Sequence, residues 1–231
     1  MYANDSHAPG SVDRVLLEEM VFLCPETEAY LYTQFTPLDL RYRPGSRPVL
    51  EACLKQAVAG CGSPEEQVRA IVAHTSGLGA SVTDDLDALQ LGGTEEEILQ
   101  RSTDWCTDLA RVGCLLFQLA GLPARILVLA DTEQAYSGHV ITEVYRSGVW
   151  GAVDTTTGTV YLDGQGRPRS AAAIMRSGDV SQFRAVGVAN YFVWEAGKYT
   201  YAVSGINPYL RPILEMSQRG WPGGLRWLHG E

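Results

Sequence analysis

Three side chains in this sequence have the types and the order suited to acyl transfer: Cys106, His139 and Asp154. A thiol attacks a carbonyl carbon as its thiolate. A free cysteine near pKa ~8.5 is mostly protonated at neutral pH, and reactive ones fall to roughly 3.5–7.5. Two devices lower that value, the dipole at a helix N-terminus and an adjacent imidazole. Leu109, Val112, Leu115, Leu116, Leu119 and Ala120 recur at helical spacing, which predicts a helix from near Asp104 to Gly121, with Pro123 just beyond. Cys106 then lies in its first turn and Cys114 deep in its interior. His139 follows Tyr136-Ser137-Gly138 and opens the alternating segment VITEVY, while Asp154 closes VWGAV one hairpin later, with Gly148 at the bend. Neighbouring antiparallel strands bring such a pair together, so that the carboxylate fixes the imidazole tautomer and stabilises its cation.

The elements that must position these residues are legible in outline. Val49–Ala59 has helical spacing and stops at Gly60. Ser63-Pro64-Glu65-Glu66 starts a helix that runs to about His74 and ends near Gly77, with Ser63 as cap and Glu66 closing a capping box. Thr94-Glu95-Glu96-Glu97 repeats that logic. After Gly121 the period changes to strands over 124–130, 140–145 and 149–153, with a further one over 159–162. Ser170–Arg176 reads as helix. Phe183–Trp194 and Tyr199–Val203 read as a second sheet segment or hairpin, and Pro208–Gln218 as a final helix. Val12–Leu23 fits helix or strand, Thr36–Pro48 is irregular, and residues 1–10 form a flexible tail. Trp221 and Trp227 mark the C-terminal segment as at least partly packed. Helices first and antiparallel strands second predict an α+β domain over 11–231.

The bulk numbers exclude several function classes. The 231 residues carry a net charge of −9 with scattered Lys and Arg, which argues against nucleic acid as a partner. There is no apolar run long enough for a bilayer span and no secretory leader at Met1–Gly10, so the expected location is the cytoplasm. The five cysteines (Cys24, Cys53, Cys61, Cys106 and Cys114) form no Cys-x-x-Cys pair and no ligand-spaced set with His7, His74, His139 or His229. Neither a metal nor another cofactor is expected, and four of the five thiols read as inert.

The segment from Asp104 to Gly158 resembles the core motif of the transglutaminase-like superfamily. TDWCTDLARVGCLLFQLAGLPARILVL is similar to its nucleophile helix and the turn that follows. SGHVITEVY resembles its histidine strand, and GVWGAVDTTTG its Trp-x-x-x-Asp-x-Thr block. The resemblance implies a papain-like α+β fold and puts Cys106, His139 and Asp154 on the catalytic triad, with Arg125, Glu143 and Trp150 on framework positions. Arg125 then pairs with a core carboxylate, Glu143 being one candidate. The sequence departs from the family at Asp104, where a glycine is common, and at Val140-Ile141 after the histidine. For the tetrahedral oxyanion, the backbone N–H of Cys106 is the natural first donor. His74, Gln90 and Gln100 are candidates for the second, with His74 preferred on the resemblance.

The implied reaction is acyl transfer through a thioester, with a peptide or small-molecule amide or thioester as donor, possibly carrier-bound, and water or an amine as acceptor. A non-catalytic binding protein that keeps the fold is the rival of a different class. Iodoacetamide separates the two, because a binding module has no hyper-reactive Cys106.

Overall fold

A computed structural model describes residues 19–81, 92–131, 137–177 and 185–196. Among them the order is β1 (Val21–Phe22), α1 (Pro25–Leu31), α2 (Pro48–Ala57), α3 (Pro64–Gly77), a 3-10 turn (Leu78–Ser81), α4 (Glu95–Arg101), α5 (Cys106–Leu119), β2 (Ala124–Asp131), β3 (Ser137–Arg146), β4 (Val149–Asp154), β5 (Thr159–Val160), α6 (Ala171–Ser177) and β6 (Ala185–Ala189). The strands make one sheet in the order β1-β6-β2-β3-β4-β5, antiparallel throughout. The protein is an α+β fold, as the sequence predicts. No described helix is long and apolar enough to cross a membrane.

α5 is the centre of the molecule. It packs on β3 and β2, while α2, α3 and α4 also pack against it. Every residue from Cys106 to Gln118 is buried, as expected of a helix that is apolar on most of its circumference and has partners all round. One core lies between these helices and the sheet, built from Val68, Ile71, Leu115, Phe117, Ile126 and Val144, among others. A second, containing Leu127, Ile141, Ala152 and Ile174, joins the sheet to α1 and α6. Within β2, Ile126 belongs to the first core and Leu127 to the second, the two-residue alternation of a strand covered on both sides.

Helix ends follow local chemistry. Ser63 Oγ accepts the Glu66 N–H at 3.3 Å and Pro64 occupies the first turn of α3. The capping box expected there is not completed, because the Glu66 carboxylate turns back to Gly62 N at 2.6 Å. At α4 the box is complete: Thr94 caps Glu97 N, and the Glu97 carboxylate returns to Thr94 N at 2.7 Å. The β3–β4 hairpin turns at Ser147 and Gly148, both at positive φ.

Ala185–Ala189 does not begin a second sheet. It pairs with β2 on one side and β1 on the other, so the chain returns to the middle of the sheet after α6. Of Val12–Leu23, the described part holds the two-residue strand β1. Residues 1–10, Tyr199–Val203, Pro208–Gln218, Trp221 and Trp227 lie outside the described residues.

Gly113 carries a packing requirement. A Cβ there would stand 2.6 Å from Thr155 Cγ2, so glycine lets α5 sit directly against the chain leaving β4. Gly113→Ala should lower stability by about 1–3 kcal/mol despite alanine's better helix propensity. A thermal melt checks this, and Thr155→Ser, which removes the opposing methyl, should return part of the loss.

Candidate active site

The chain enters α5 through Thr103, whose Oγ1 accepts the Trp105 N–H at 3.0 Å. Trp105 is the N-cap, in an extended conformation, and Cys106 is the first residue of the helix. Its amide is among those a helix leaves without an intrahelical partner, and the positive end of the dipole lies at the thiol.

His139 stands in β3 opposite Leu129 of β2. Its Nε2 is 2.8 Å from Asp154 Oδ2 at the end of β4. The other Asp154 oxygen accepts the N–H groups of Thr156 (2.8 Å) and Thr157 (3.1 Å), so the turn after β4 fixes the carboxylate before it meets the ring. Cys106 stands close enough to the His139 ring to favour its charged form. Of the three residues singled out from the sequence, the structure pairs His139 with Asp154 and sets Cys106 at the first position of α5. They are closed off from bulk water, with Cys106 at 1%, His139 at 4% and Asp154 at 3% exposure.

Burial opposes a charged imidazole, but the bond to Asp154 and the nearby Cys106 outweigh it and His139 is pushed up to about 10. Burial also opposes the Asp154 carboxylate. There the His139 contact and the two backbone N–H groups prevail, and its pKa falls below the ordinary value. For folding, charged His139 contributes stability that is complete below pH 6.5 and lost as pH rises through about 10. Ionised Asp154 contributes stability that is complete above pH 3.8 and lost as pH falls through its depressed value.

The other candidates fare differently. His74 lies half-buried in the last turn of α3, with Nε2 3.1 Å from Cys53 Sγ of α2. The ring therefore meets α2. The segment just after it does approach the site: Gly79 packs near Thr103 and Asp104, and Ser76 Oγ stands by Gly158. Gln100 is exposed on α4, and Gln90 lies outside the described residues. Among the described residues no group of three or more His, Cys, Asp or Glu could hold a metal ion.

Arg125 and Glu143 are direct cross-strand partners, both fully buried, with nitrogens 2.9 and 2.6 Å from Glu143 Oε2. The Arg125 guanidinium lies 4.0 Å above the Trp150 ring. Glu143 Oε1 accepts Tyr32 OH at 3.0 Å and Ala171 N–H at 2.8 Å, tying α1 and α6 to the sheet.

A second buried charge cluster was not foreseen from the sequence. Asp108, in the first turn of α5, accepts the Gly92 N–H at 2.9 Å and an N–H of Arg101 Nη2 at 2.8 Å, and its Oδ1 lies 3.4 Å from Arg111 Nη1. Arg111 continues to Glu95 Oε1 (2.6 Å) and Tyr191 OH (2.7 Å), and Arg47 meets the other Glu95 oxygen at 2.7 Å. The one local signal was Asp108 and Arg111 at i,i+3 on an otherwise apolar helix. The remaining partners are remote in sequence.

The family model of the transglutaminase-like superfamily matches residues 51–155, from within α2 to just past Asp154. That segment is similar to the core of that superfamily. It holds Cys106, His139 and Asp154, and the match suggests cysteine-based acyl transfer in general terms. Among solved structures the chain is similar to a crystal structure of a TGase, at 18% identity and a TM-score of 0.36, covering 55% of this chain and 34% of that one. This chain thus spans about a third of that protein's length. No curated protein matches the chain. The matched segment also contains the Asp108–Arg111 contact and the Arg125–Glu143 pair, so its buried charges brace the same helix and strands that carry Cys106, His139 and Asp154.

Proposed function

We propose that the protein is a cysteine acyl-transfer enzyme with Cys106 as nucleophile, His139 as base and acid, and Asp154 as the group that orients the imidazole. The observation that carries this reading is the buried His139–Asp154 pair, 2.8 Å apart, together with Cys106 at the N-terminus of α5. In the resting site the thiol proton resides on His139. The Cys106 thiolate attacks the carbonyl carbon of an amide or thioester, and the oxyanion is stabilised by first-turn amides of α5. His139 returns the proton to the departing amine or thiol as the carbon–heteroatom bond breaks, leaving a thioester on Cys106. Water or an amine then attacks, gives its proton to His139 and regenerates the thiolate. The substrate is a peptide or small-molecule amide or thioester, carrier-bound species included. His74 is an oxyanion donor only if it leaves Cys53.

The pH dependence of Cys106 alkylation tests this. In the parent, reactivity should persist well below the ordinary thiol range. Asp154→Asn keeps the shape but presents an amide to the ring and removes the charge that favours the imidazolium. The alkylation midpoint should therefore move upward and acyl transfer should fall. An unchanged profile with undiminished turnover would reduce Asp154 to a turn residue.

A further inference from the structure

Away from the candidate active site, a second thiol lies against an imidazole. Cys53, in the middle of α2, has its Sγ 3.1 Å from Nε2 of His74 in the last turn of α3. Both residues are half-buried and keep part of their surface in solvent, whereas Cys106 is closed off. Cys24, also half-buried, meets the Thr27 hydroxyl at 3.3 Å, and a hydroxyl is no base. A nucleophile and a base within hydrogen-bond reach form the arrangement of base-assisted attack. In the sequence Cys53 reads as inert, because the base stands on another helix.

Burial pushes the Cys53 thiol up. It therefore stands as S–H and donates to His74 Nε2, with the ring hydrogen on Nδ1. That argues against a peroxide-sensing cysteine, which needs a thiolate at neutral pH, and suits a proton taken at the moment of attack. No charged residue lies one turn away on either helix: Val49, Leu50, Gln56 and Ala57 flank Cys53, and Ala70, Ile71, Gly77 and Leu78 flank His74. α5 packs on both helices, and its Asp108 and Arg111 are committed to Gly92, Arg101, Glu95 and Tyr191. α4 packs on α2, and its Glu95 and Glu96 are held by Arg47.

The place of Cys53 in α2 also selects the acyl donor. It lies past the first turn, where backbone N–H groups are bonded within the helix, so α2 offers no free donor for an oxyanion. An amide, whose amine leaves poorly, needs that help. A thioester exchanges its acyl group with a thiol at little cost in free energy.

We propose that Cys53 and His74 form a second acyl-accepting centre, in which Cys53 takes the acyl group of a small thioester with His74 as base. The Cys53 sulfur attacks the carbonyl carbon as its proton passes to His74 Nε2. The carbon–sulfur bond to the departing thiol breaks, and His74 returns the proton to that thiolate. One thioester replaces another, with nothing oxidised or reduced. The step stands whether or not Cys106 is a nucleophile.

The test is incubation of the full-length protein, as the parent and as Cys106→Ala, with S-acetyl-N-acetylcysteamine, read by peptide mass at each cysteine. At neutral pH Cys53 should be acetylated about tenfold or more faster than Cys24 and Cys61, and His74→Gln should slow it by about a hundredfold, the scale of general-base assistance. The Cys53 rate should level off below the ordinary thiol range near ~8.5, whereas in His74→Gln it should climb through that range. Acetylation of Cys53 no faster than that of Cys24 and Cys61, or equal rates with and without His74, overturns the proposal. Should His74→Gln not fold, the pH profile of the parent decides, and a Cys53 rate that climbs through the thiol range overturns it. Rapid acetylation of Cys53 with none on Cys106 supports the proposal and counts against the reading of Cys106 alone.

Discussion

Cys106→Ala should abolish acyl-enzyme formation and lower turnover of an activated thioester or ester by on the order of a thousandfold or more, because the step that forms the covalent intermediate loses its nucleophile. Cys114→Ala should leave most of the activity. Both thiols lie on α5 and both are buried, but only Cys106 has the helix terminus and the His139 ring. Burial pushes the Cys114 thiol far above the ordinary range, and its contacts are the Tyr191 carbonyl and the Gln118 amide, neither of which accepts a proton in a reaction. Intact mass after incubation with the donor, followed by peptide mapping, reads the result directly. An acyl group found on Cys114, with Cys106→Ala still turning over, would reverse the assignment.

Glu143→Gln should be among the most destabilising single changes in the protein. The carboxylate balances a guanidinium with no access to water and accepts four hydrogen bonds, from two Arg125 nitrogens, Tyr32 and Ala171. Stripping the charge from one partner of such a pair leaves the other buried and uncompensated, at a cost of about 3–5 kcal/mol, a large share of the total for a domain of this size. Urea unfolding measures it. Arg125→Met combined with Glu143→Leu should recover most of the loss, since an apolar pair leaves no stranded charge. A cost below about 1 kcal/mol for Glu143→Gln would mean that Arg125 is held by the Leu31 carbonyl and the Trp150 and Tyr32 rings instead.

The sequence made the local parts of this architecture legible. The limits of α5, the caps at Ser63 and Thr94, the Gly148 hairpin and the facing of His139 and Asp154 all follow from short-range periodicity, turn chemistry and one hairpin register. What escaped was non-local. β6 enters the sheet between β1 and β2, a choice set by which edge of β2 remained open and invisible in the five residues of β6. The buried charges escaped for the same reason. Glu95 looks like an ordinary first-turn acid of α4, yet it is the bridge between Arg111, Tyr191 and Arg47. His74 illustrates the opposite hazard. Its position near the end of α3 is as expected, but a helix residue's bearing depends on its partner helix, and here the ring meets Cys53.

The burial of α5 along nearly its whole length has an evolutionary and practical corollary. A helix with no solvent face has no side that takes substitutions freely, so changes are better tolerated away from the element that bears Cys106. Each of its side chains is already committed to the sheet, to a neighbouring helix or to the charge cluster. New substrate preferences, whether selected in nature or in a mutant library, must therefore be written in the segments that frame the thiol from outside. The approach through Thr103-Asp104, the turn at Leu78–Ser81 and the Thr155-Thr156-Thr157-Gly158 bend are the places to randomise, and α5 is the place to leave alone.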